Sequence, residues 1–382
     1  MKIGIVGKPN VGKSTFFAAV TMANAEIANF PFTTRDPNIG VGYVRKKCPH
    51  IDIGKKCNPN NSKCIDGERF IPVQIIDVAG LVPDAHKGKG LGYQFLDDLR
   101  QADALIHIVD ISGSTDAEGN PVGVGQHDYH EDIKFLYDEF ILWIEQILAN
   151  GWKKTARQID MLGKDVTEAL SERITGLGMK VTHDMLSGLP AKLSDWSDDD
   201  MKLFVERLVK DQKPFIIAGN KADLIDEPVE SIDLIFSEYE LALRKANDAG
   251  MIKYVPGDDK FEVLKPDILN TAQRNALEKI GKTIKGRGTG IQGLLNHVVF
   301  DILDMIVVYP VEDENKYTNK DGDVLPDALL VKKGITAKEL AYKIHTDIGK
   351  GFIRAIDART KRVIGSDHVL KDNDIIKIIS KA

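Results

Sequence analysis

The chain has 382 residues, 43% of them hydrophobic, and carries a formal net charge of −6 with three cysteines. That length exceeds one compact core and predicts two or three domains, while no run reaches the roughly 18 apolar residues of a membrane span. The mild negative charge excludes a general polyanion binder, so any nucleic-acid contact must come from local patches.

Lys2-Ile3-Gly4-Ile5-Val6 is a short apolar run that predicts a buried strand. A core strand at the start leaves no signal or transit peptide, and a cytoplasmic location is expected. The strand runs into Gly7-Lys8-Pro9-Asn10-Val11-Gly12-Lys13-Ser14, and Thr15-Phe16-Phe17-Ala18-Ala19-Val20 then predicts a helix. Strand, glycine-rich loop and helix in this order form a phosphate-binding loop. The glycines let backbone N–H groups face the phosphates, and the helix N-terminus adds a favourable dipole. Lys8, Pro9, Asn10, Val11, Gly12, Lys13, Ser14 and Thr15 are expected to surround the nucleotide phosphates. Lys13 would reach the β- and γ-phosphates, and the Ser14 hydroxyl would bind Mg²⁺.

Phe30-Pro31-Phe32-Thr33-Thr34-Arg35-Asp36-Pro37 offers a second hydroxyl for that ion. Thr34 is the expected ligand, with its N–H on the γ-phosphate, and Thr33 is the neighbouring alternative. All three cysteines, Cys48, Cys57 and Cys64, fall within 45–68, which Pro49, Gly54, Pro59, Asn60, Asn61 and Gly67 mark as an irregular loop. With His50 they supply the four N/S ligands of a structural Zn²⁺ site, although no pair has the usual two-to-four-residue spacing. A disulfide and free thiols are the alternatives.

Phe70-Ile71-Pro72-Val73-Gln74-Ile75-Ile76 predicts a strand leading into Asp77-Val78-Ala79-Gly80. Asp77 would hold Mg²⁺ through water, and the Gly80 N–H would sense the γ-phosphate. A helix over 93–100 and a strand over 104–109 return the chain to the sheet, and a Gly-rich loop follows over 113–125. From 129 to 209 the pattern is helical. Ile133, Leu136, Tyr137, Phe140, Ile141, Ile144, Ile147 and Leu148 form an amphipathic stripe. Asp195 and Asp198-Asp199-Asp200 read as a solvated helix start, lacking the carboxylate spacing of a calcium loop.

Lys213-Pro214-Phe215-Ile216-Ile217-Ala218-Gly219 predicts another buried strand, ending in Asn220-Lys221-Ala222-Asp223. The Asp223 carboxylate can accept both guanine N1–H and N2–H₂, a bidentate match that adenine lacks. Lys221 would pack on the base, and Asn220 would tie this loop to the phosphate loop. GTP is therefore expected over ATP. Ser237, after Phe236, is a candidate for the backbone N–H that meets guanine O6. Helices follow over 238–249 and 271–280, around an irregular segment 255–266. The basic stretch 282–288 reads as a surface turn or a contact for RNA phosphate. Gly290-Ile291-Gln292-Gly293-Leu294-Leu295 begins a closing helix. Met305-Ile306-Val307-Val308-Tyr309-Pro310 opens a last unit whose short strands surround one Thr336-capped helix, the pattern of a ubiquitin-like β-grasp.

The segment Asp77-Val78-Ala79-Gly80-Leu81-Val82-Pro83-Asp84-Ala85-His86-Lys87-Gly88-Lys89-Gly90-Leu91-Gly92 resembles the glycine-rich switch II of the Obg-like GTPases, most closely the archaeal-type YchF-related branch. Phe32-Thr33-Thr34 with Pro37 resembles the same group's switch I, and Ile344-His345-Thr346-Asp347-Ile348-Gly349-Lys350-Gly351-Phe352-Ile353 resembles a TGS domain. The resemblance implies an α/β P-loop GTPase domain over 1–300, with a mostly parallel sheet and helices on both faces. A helical insertion over 126–210 would interrupt it, and a C-terminal TGS domain of β-grasp fold would span 305–382. It implies a helical arm for partner contact in the insertion; a bundle that braces the sheet is the alternative. It also implies ribosomal RNA or a ribosomal protein as partner, and no membrane. Bacterial and eukaryotic YchF proteins have a degraded base-reading box and prefer ATP, whereas Asn220-Lys221-Ala222-Asp223 is intact here.

Ras-like GTPases position the attacking water with a glutamine, where this chain has Leu81. His86 is the local candidate to orient water, against a solvent-exposed loop histidine. In related GTPases the counterpart of Asn10 holds K⁺, which with Lys13 balances charge on the phosphates; a loop-stabilising Asn is the alternative. Two functions follow: a slow GTP-hydrolysing switch on ribosomes, or a nucleotide-gated binding module with incidental turnover. A YchF-type ATPase is opposed by Asn220 and Asp223.

Overall fold

The computed structural model describes residues 1–21, 39–78, 101–225, 229 and 232–381. Its larger sheet is seven-stranded. Strand β1 (Lys2–Val6) lies at its centre between β4 (Glu68–Asp77) and β5 (Ala104–Asp110), parallel to both. Parallel strands β6 (Phe215–Asn220) and β7 (Asp233–Leu234) continue the sheet beyond β5. Antiparallel β2 (Ile39–Lys47) and β3 (Lys63–Ile65) both pair with β4.

Alternation along the central strands sends side chains to two cores. Ile3, Ile5, Ile75, Ile106 and Ile108 face one cluster with Phe16 and Ala19 of helix α1 (Lys13–Thr21), and with Leu294, Leu295 and Val298 from the chain after Gly290. Val6, Ile76 and Leu105 face the other. That second core is filled by the helical segment between β5 and β6. The sequence stripe is helix α3 (Tyr129–Ala149), which buries Leu136, Phe140, Ile141, Ile144 and Leu148. Tyr137 and Phe140 meet Phe215 of β6 with ring centroids 5.9 and 5.2 Å apart. Helices α4 (Trp152–Leu162), α5 (Val166–Ile174) and α6 (Asp198–Gln212) share the same core. The aspartates before Met201 are a helix start: Ser197 caps α6, and Asp200 completes the capping box. This segment packs on one face of the sheet.

The cysteine-bearing stretch departs from the expected irregular loop. Cys48 and Cys57 are buried, a single helical turn α2 (His50–Ile53) follows β2, and β3 returns through a two-residue turn at Asp66 and Gly67. Both turn residues have positive φ, 49° and 88°, as a tight hairpin requires.

After β6 come helix α7 (Ser237–Asp248), the small hairpin of β8 (Ile252–Lys253) and β9 (Glu262–Val263), and helix α8 (Thr271–Ile284), four residues longer at its C-terminus than expected. Helix α9 (Ile291–Asn296) continues as a π-helical turn to Ile302 and leads into a second, five-stranded sheet. Its order is β11 (Leu329–Lys332), β10 (Met305–Val311), β14 (Asp374–Ser380), β12 (Phe352–Asp357), β13 (Val363–Ile364). Helix α10 (Ala337–Ile344), with its Thr336–Glu339 capping box, packs Ala337 and Leu340 against Ile306, Val308, Ala355 and Ile376. A helix packed on a mixed sheet, with β10 parallel to β14, is the β-grasp arrangement, and a short helical turn (Thr346–Lys350) follows α10. The opposite face of β10 presents Val307, Tyr309 and Val311 to the core of the first sheet.

Candidate functional site

The parallel strands deliver their following loops to one edge of the sheet, where ligands of α/β folds bind. Gly7–Ser14 follows β1, Asp77 ends β4, Asp110 ends β5, and Asn220 ends β6. Between these loops lies a cavity of about 350 Å³ lined by Asn10, Gly12, Lys13, Ser14, Thr15, Asn220, Lys221, Asp223, Leu224, Ser237 and Glu238. The two motifs, two hundred residues apart in sequence, thus share one pocket.

Asn220 joins them. Its Nδ2 donates to Val11 O at 2.8 Å, and its Oδ1 accepts from the Ser237 backbone N–H at 3.2 Å. The side chain is 4% exposed, so both bonds are shielded from water. Gly12 has φ +100°, and a Cβ built on it would lie 2.2 Å from that Nδ2. Gly7, at φ +149°, stands against Ile108 O, which such a Cβ would meet at 2.4 Å. Gly7 requires glycine against fixed backbone, and any Cβ at Gly12 would displace the Asn220 amide and sit on a strained left-handed backbone.

Lys13 donates from Nζ to Gly7 O at 2.7 Å and Lys8 O at 2.6 Å, folding its ammonium into its own loop. Burial lowers its pKa to about 8, partly opposed by the Asp77 carboxylate. Burial raises the Asp77 carboxyl, and the Lys13 charge draws it back. The two groups therefore feel one another across the mouth of β1 and β4.

Lys8, Pro9 and Val11 do not line the cavity. Lys8 is buried and pairs with Asp132 of α3 at 2.7 Å, also donating to Thr115 O at 2.9 Å. His127 holds the other Asp132 oxygen at 2.9 Å. Val11 belongs to the core, and Pro9 packs its carbonyl under Gly119. Asn10 has φ 62° and donates from Nδ2 to Gly119 O at 3.0 Å. The Gly-rich loop after β5 thus backs the phosphate loop, a contact that composition alone could not locate.

Asp110 was not singled out by the motifs. It is fully buried at the end of β5 and accepts from Lys221 Nζ at 2.7 Å, Ser114 Oγ at 2.8 Å and Thr115 Oγ1 at 2.9 Å. Burial acts to raise its carboxyl, yet the bonds from Lys221, Ser112, Ser114 and Thr115 hold it below the usual carboxylate range. Lys221 itself has φ 60°. A non-glycine residue held left-handed and pinned by a buried carboxylate is an oriented stem. An acidic residue at the carboxyl end of an apolar strand, followed by Ser112, Ser114 and Thr115, is the sequence signal for this anchor.

Around the far wall, Arg287 lies over the Phe236 ring at 4.5 Å, and Phe236 stacks on Tyr239 at 5.7 Å. The basic stretch 282–288 ends helix α8 at Ile284 and continues as a turn. Thr289 Oγ1 and Tyr254 Oη, at 2.5 and 2.8 Å, donate to the buried Glu240 carboxylate, which also binds Arg244. Thr34, Gly80, Leu81 and His86, and the helix expected over 93–100, lie outside the described residues. Cys48, His50, Cys57 and Cys64 converge: one ligand atom from each lies within 4.8 Å of the others. Among the described residues no helix is long and apolar enough to cross a membrane.

Residues 2–139 match a family model described as 50S ribosome-binding GTPase, and residues 218–313 one described as Obg-like GTPase YGR210-like, G4 motif-containing domain. Residues 315–380 match a TGS domain. An uncharacterized GTP-binding protein of Methanocaldococcus jannaschii is 50% identical over 100% of this chain and 99% of its own. The crystal structure of a GTP binding protein from Pyrococcus horikoshii superposes with a TM-score of 0.77 at 39% identity, covering 100% of both chains. The ribosome-binding ATPase YchF of Bacillus subtilis is 27% identical over 98% of this chain and 97% of its own. With half of its residues identical to an archaeal relative along the full length, this chain belongs to the YchF-related, Obg-like family of GTP-binding proteins.

Proposed function

We propose that this chain binds GTP and hydrolyses it slowly to GDP and phosphate, acting as a nucleotide-dependent switch on ribosomes. The observation that carries this reading is Asn220, whose side chain ties the base-reading loop to the phosphate loop across one cavity. Lys221 and Asp223 stand on the same wall, where the Asp223 carboxylate can accept from both guanine N–H groups. The nucleotide contacts in this reading are Asn10, Gly12, Lys13, Ser14, Thr15, Asn220, Lys221, Asp223 and the Ser237 N–H, while Lys8, Pro9 and Val11 hold the loop from behind.

Lys13 is the group that would place positive charge between the β- and γ-phosphates, leaving its present partners Gly7 O and Lys8 O. Ser14, Asp77 and Thr34 are the Mg²⁺ ligands of this reading. Their hydroxyl and carboxylate oxygens are the hard donors that ion takes, and Asp77 lies close enough to Lys13 to act on its charge. Bound Mg²⁺ would supply neutralisation of the phosphate oxygens. Gly80 N–H would report the γ-phosphate, and His86 would orient the water in the place where Leu81 cannot. The carbonyl end of the Asn10 amide would meet K⁺. With no glutamine in that place, intrinsic turnover is slow and a partner completes the site.

The ribosome as partner rests on similarity to the ribosome-binding ATPase YchF of Bacillus subtilis and to the 50S ribosome-binding GTPase family. The C-terminal β-grasp unit (305–382) and the helical insertion (126–210) of the GTPase domain (1–300) are the surfaces assigned to that contact, in the cytoplasm. The test is GTP turnover in K⁺ and in Na⁺, with and without ribosomes. Stimulation by ribosomes supports the switch. Guanine-selective binding with background turnover under every condition would replace it with a nucleotide-gated binding module.

A further inference from the structure

Opposite the nucleotide edge, the segment between β2 and β4 brings four side chains to a point. His50 Nδ1 lies 3.4 Å from Cys57 Sγ and 3.5 Å from Cys64 Sγ, and Cys48 Sγ lies 3.9 Å from Cys57 Sγ. Zinc bonds of about 2.3 Å to sulfur and about 2.0–2.1 Å to nitrogen, arranged tetrahedrally, give edges of roughly 3.8 Å between sulfurs and roughly 3.5 Å from sulfur to nitrogen. These three edges match that tetrahedron, and the remaining pairs lie within 4.8 Å. A disulfide would join two sulfurs at about 2.05 Å and leave the third beside the imidazole without a role.

A second observation points the same way. Arg69 is 0% exposed, and among the described residues no carboxylate forms an ion pair with it. Asp327 acts on it only at longer range. The guanidinium instead donates to Ser62 Oγ at 2.8 Å and to Leu325 O and Pro326 O at 2.7 and 3.1 Å, with Nη1 4.0 Å from Cys48 Sγ. A buried cation with no carboxylate in direct contact is costly. Three thiolates around a dication carry one net negative charge, which Arg69 would balance.

We propose that Cys48, His50, Cys57 and Cys64 bind one Zn²⁺, and that this metal clamps the C-terminal β-grasp unit to the GTPase sheet. The loop it would fix grips that unit through two backbone N–H groups and one side-chain amide. Asn58 N–H donates to Val324 O at 2.8 Å, Asn60 N–H to Pro326 O at 2.7 Å, and the Asn61 amide bonds Ala328 at both N–H and O. Leu325, held between these contacts, is fully buried in the joint core. Arg69 bridges the cluster to the same carbonyls.

The experiment is metal analysis of the untagged chain purified without chelator, with cobalt reconstitution as an independent readout. One zinc per chain is expected, retained through dialysis against EDTA and released by a thiol-modifying mercurial. The Co²⁺ form should show tetrahedral d–d bands with thiolate charge transfer. Cys57→Ser should abolish both signals. Hydrogen exchange at the Asn58 and Asn60 amides should accelerate at least about tenfold on metal release, while GTP affinity is kept. A native chain with three freely titrating thiols and no metal, or with a disulfide, would overturn the site. Unchanged exchange after metal release would overturn the clamp.

Discussion

Replacing Gly12 by alanine should damage the pocket through Asn220. The new Cβ would start 2.2 Å from Asn220 Nδ2, where a nonbonded carbon and nitrogen need more than 3 Å, in a backbone at φ +100°. Asn220 is the far end of a side chain and could swing aside, but doing so breaks its bonds to Val11 O and the Ser237 N–H. Leaving such buried groups unpaired costs about 1–3 kcal/mol each, and the φ strain adds about 1–2 kcal/mol. The expected total for Gly12→Ala is roughly 4 kcal/mol. Asn220→Ala alone should cost about 3 kcal/mol, since it loses the same bonds without the clash. In the Asn220→Ala background, Gly12→Ala then meets no amide and should cost only the strain. Urea unfolding of the four proteins gives the coupling directly, and we expect about 2 kcal/mol, with GTP affinity falling in parallel. Costs that add to within about 0.5 kcal/mol would refute the idea that the two loops are coupled through this one amide.

Three further outcomes follow from the site. Because burial holds Lys13 near pKa 8 and triphosphate favours the ammonium, nucleotide affinity should be flat below pH 8 and about tenfold weaker at pH 9 than at pH 7. Calorimetry in two buffers of different ionisation enthalpy should show proton uptake there, and flat affinity to pH 9 would contradict the assignment. His107 sits in β5 with its pKa pushed down to about 3, first by burial and then by the Lys13 charge. Its folded pKa lies below its unfolded value, so its contribution is complete above about pH 6.5 and is lost as pH falls toward 3. Wild type should lose about 2 kcal/mol between pH 6.5 and 5 that His107→Leu does not lose, read from denaturation midpoints. Asp132→Ala would leave the Lys8 ammonium buried without its carboxylate and should destabilise by about 3 kcal/mol, with weaker GTP binding. An effect under about 0.5 kcal/mol would show that the insertion does not support the phosphate loop.

How much of this was legible from sequence depends on where each signal resides. The phosphate loop and the base-reading box are legible because their chemistry fixes residue types at fixed offsets after a strand, and β1 and β6 stand where those offsets require. The stripe from Ile133 to Leu148 gave a helix and its apolar face. Periodicity names the face but not the partner, so only the structure shows Phe140 against Phe215 and the helices covering the sheet. The sequence leaves zinc, a disulfide and free thiols open at the cysteine cluster because its ligands lack local spacing. The cluster's convergence depends on the β3–β4 hairpin, which turns at Asp66-Gly67. Asp110 carries only a weak signal in sequence, an acidic residue at a strand end followed by Ser112, Ser114 and Thr115. Its role is visible only once Lys221, Ser114 and Thr115 are seen to meet it.

The measurement that bears most directly on the proposed function is the affinity of the purified chain for GTP and for ATP, in Mg²⁺, by competition against one fluorescent guanine nucleotide. A preference for GTP of at least about a hundredfold, lost on Asp223→Ala, is the predicted result. Equal binding, or a preference for ATP, would contradict the reading of Asn220, Lys221 and Asp223 as the base-reading wall.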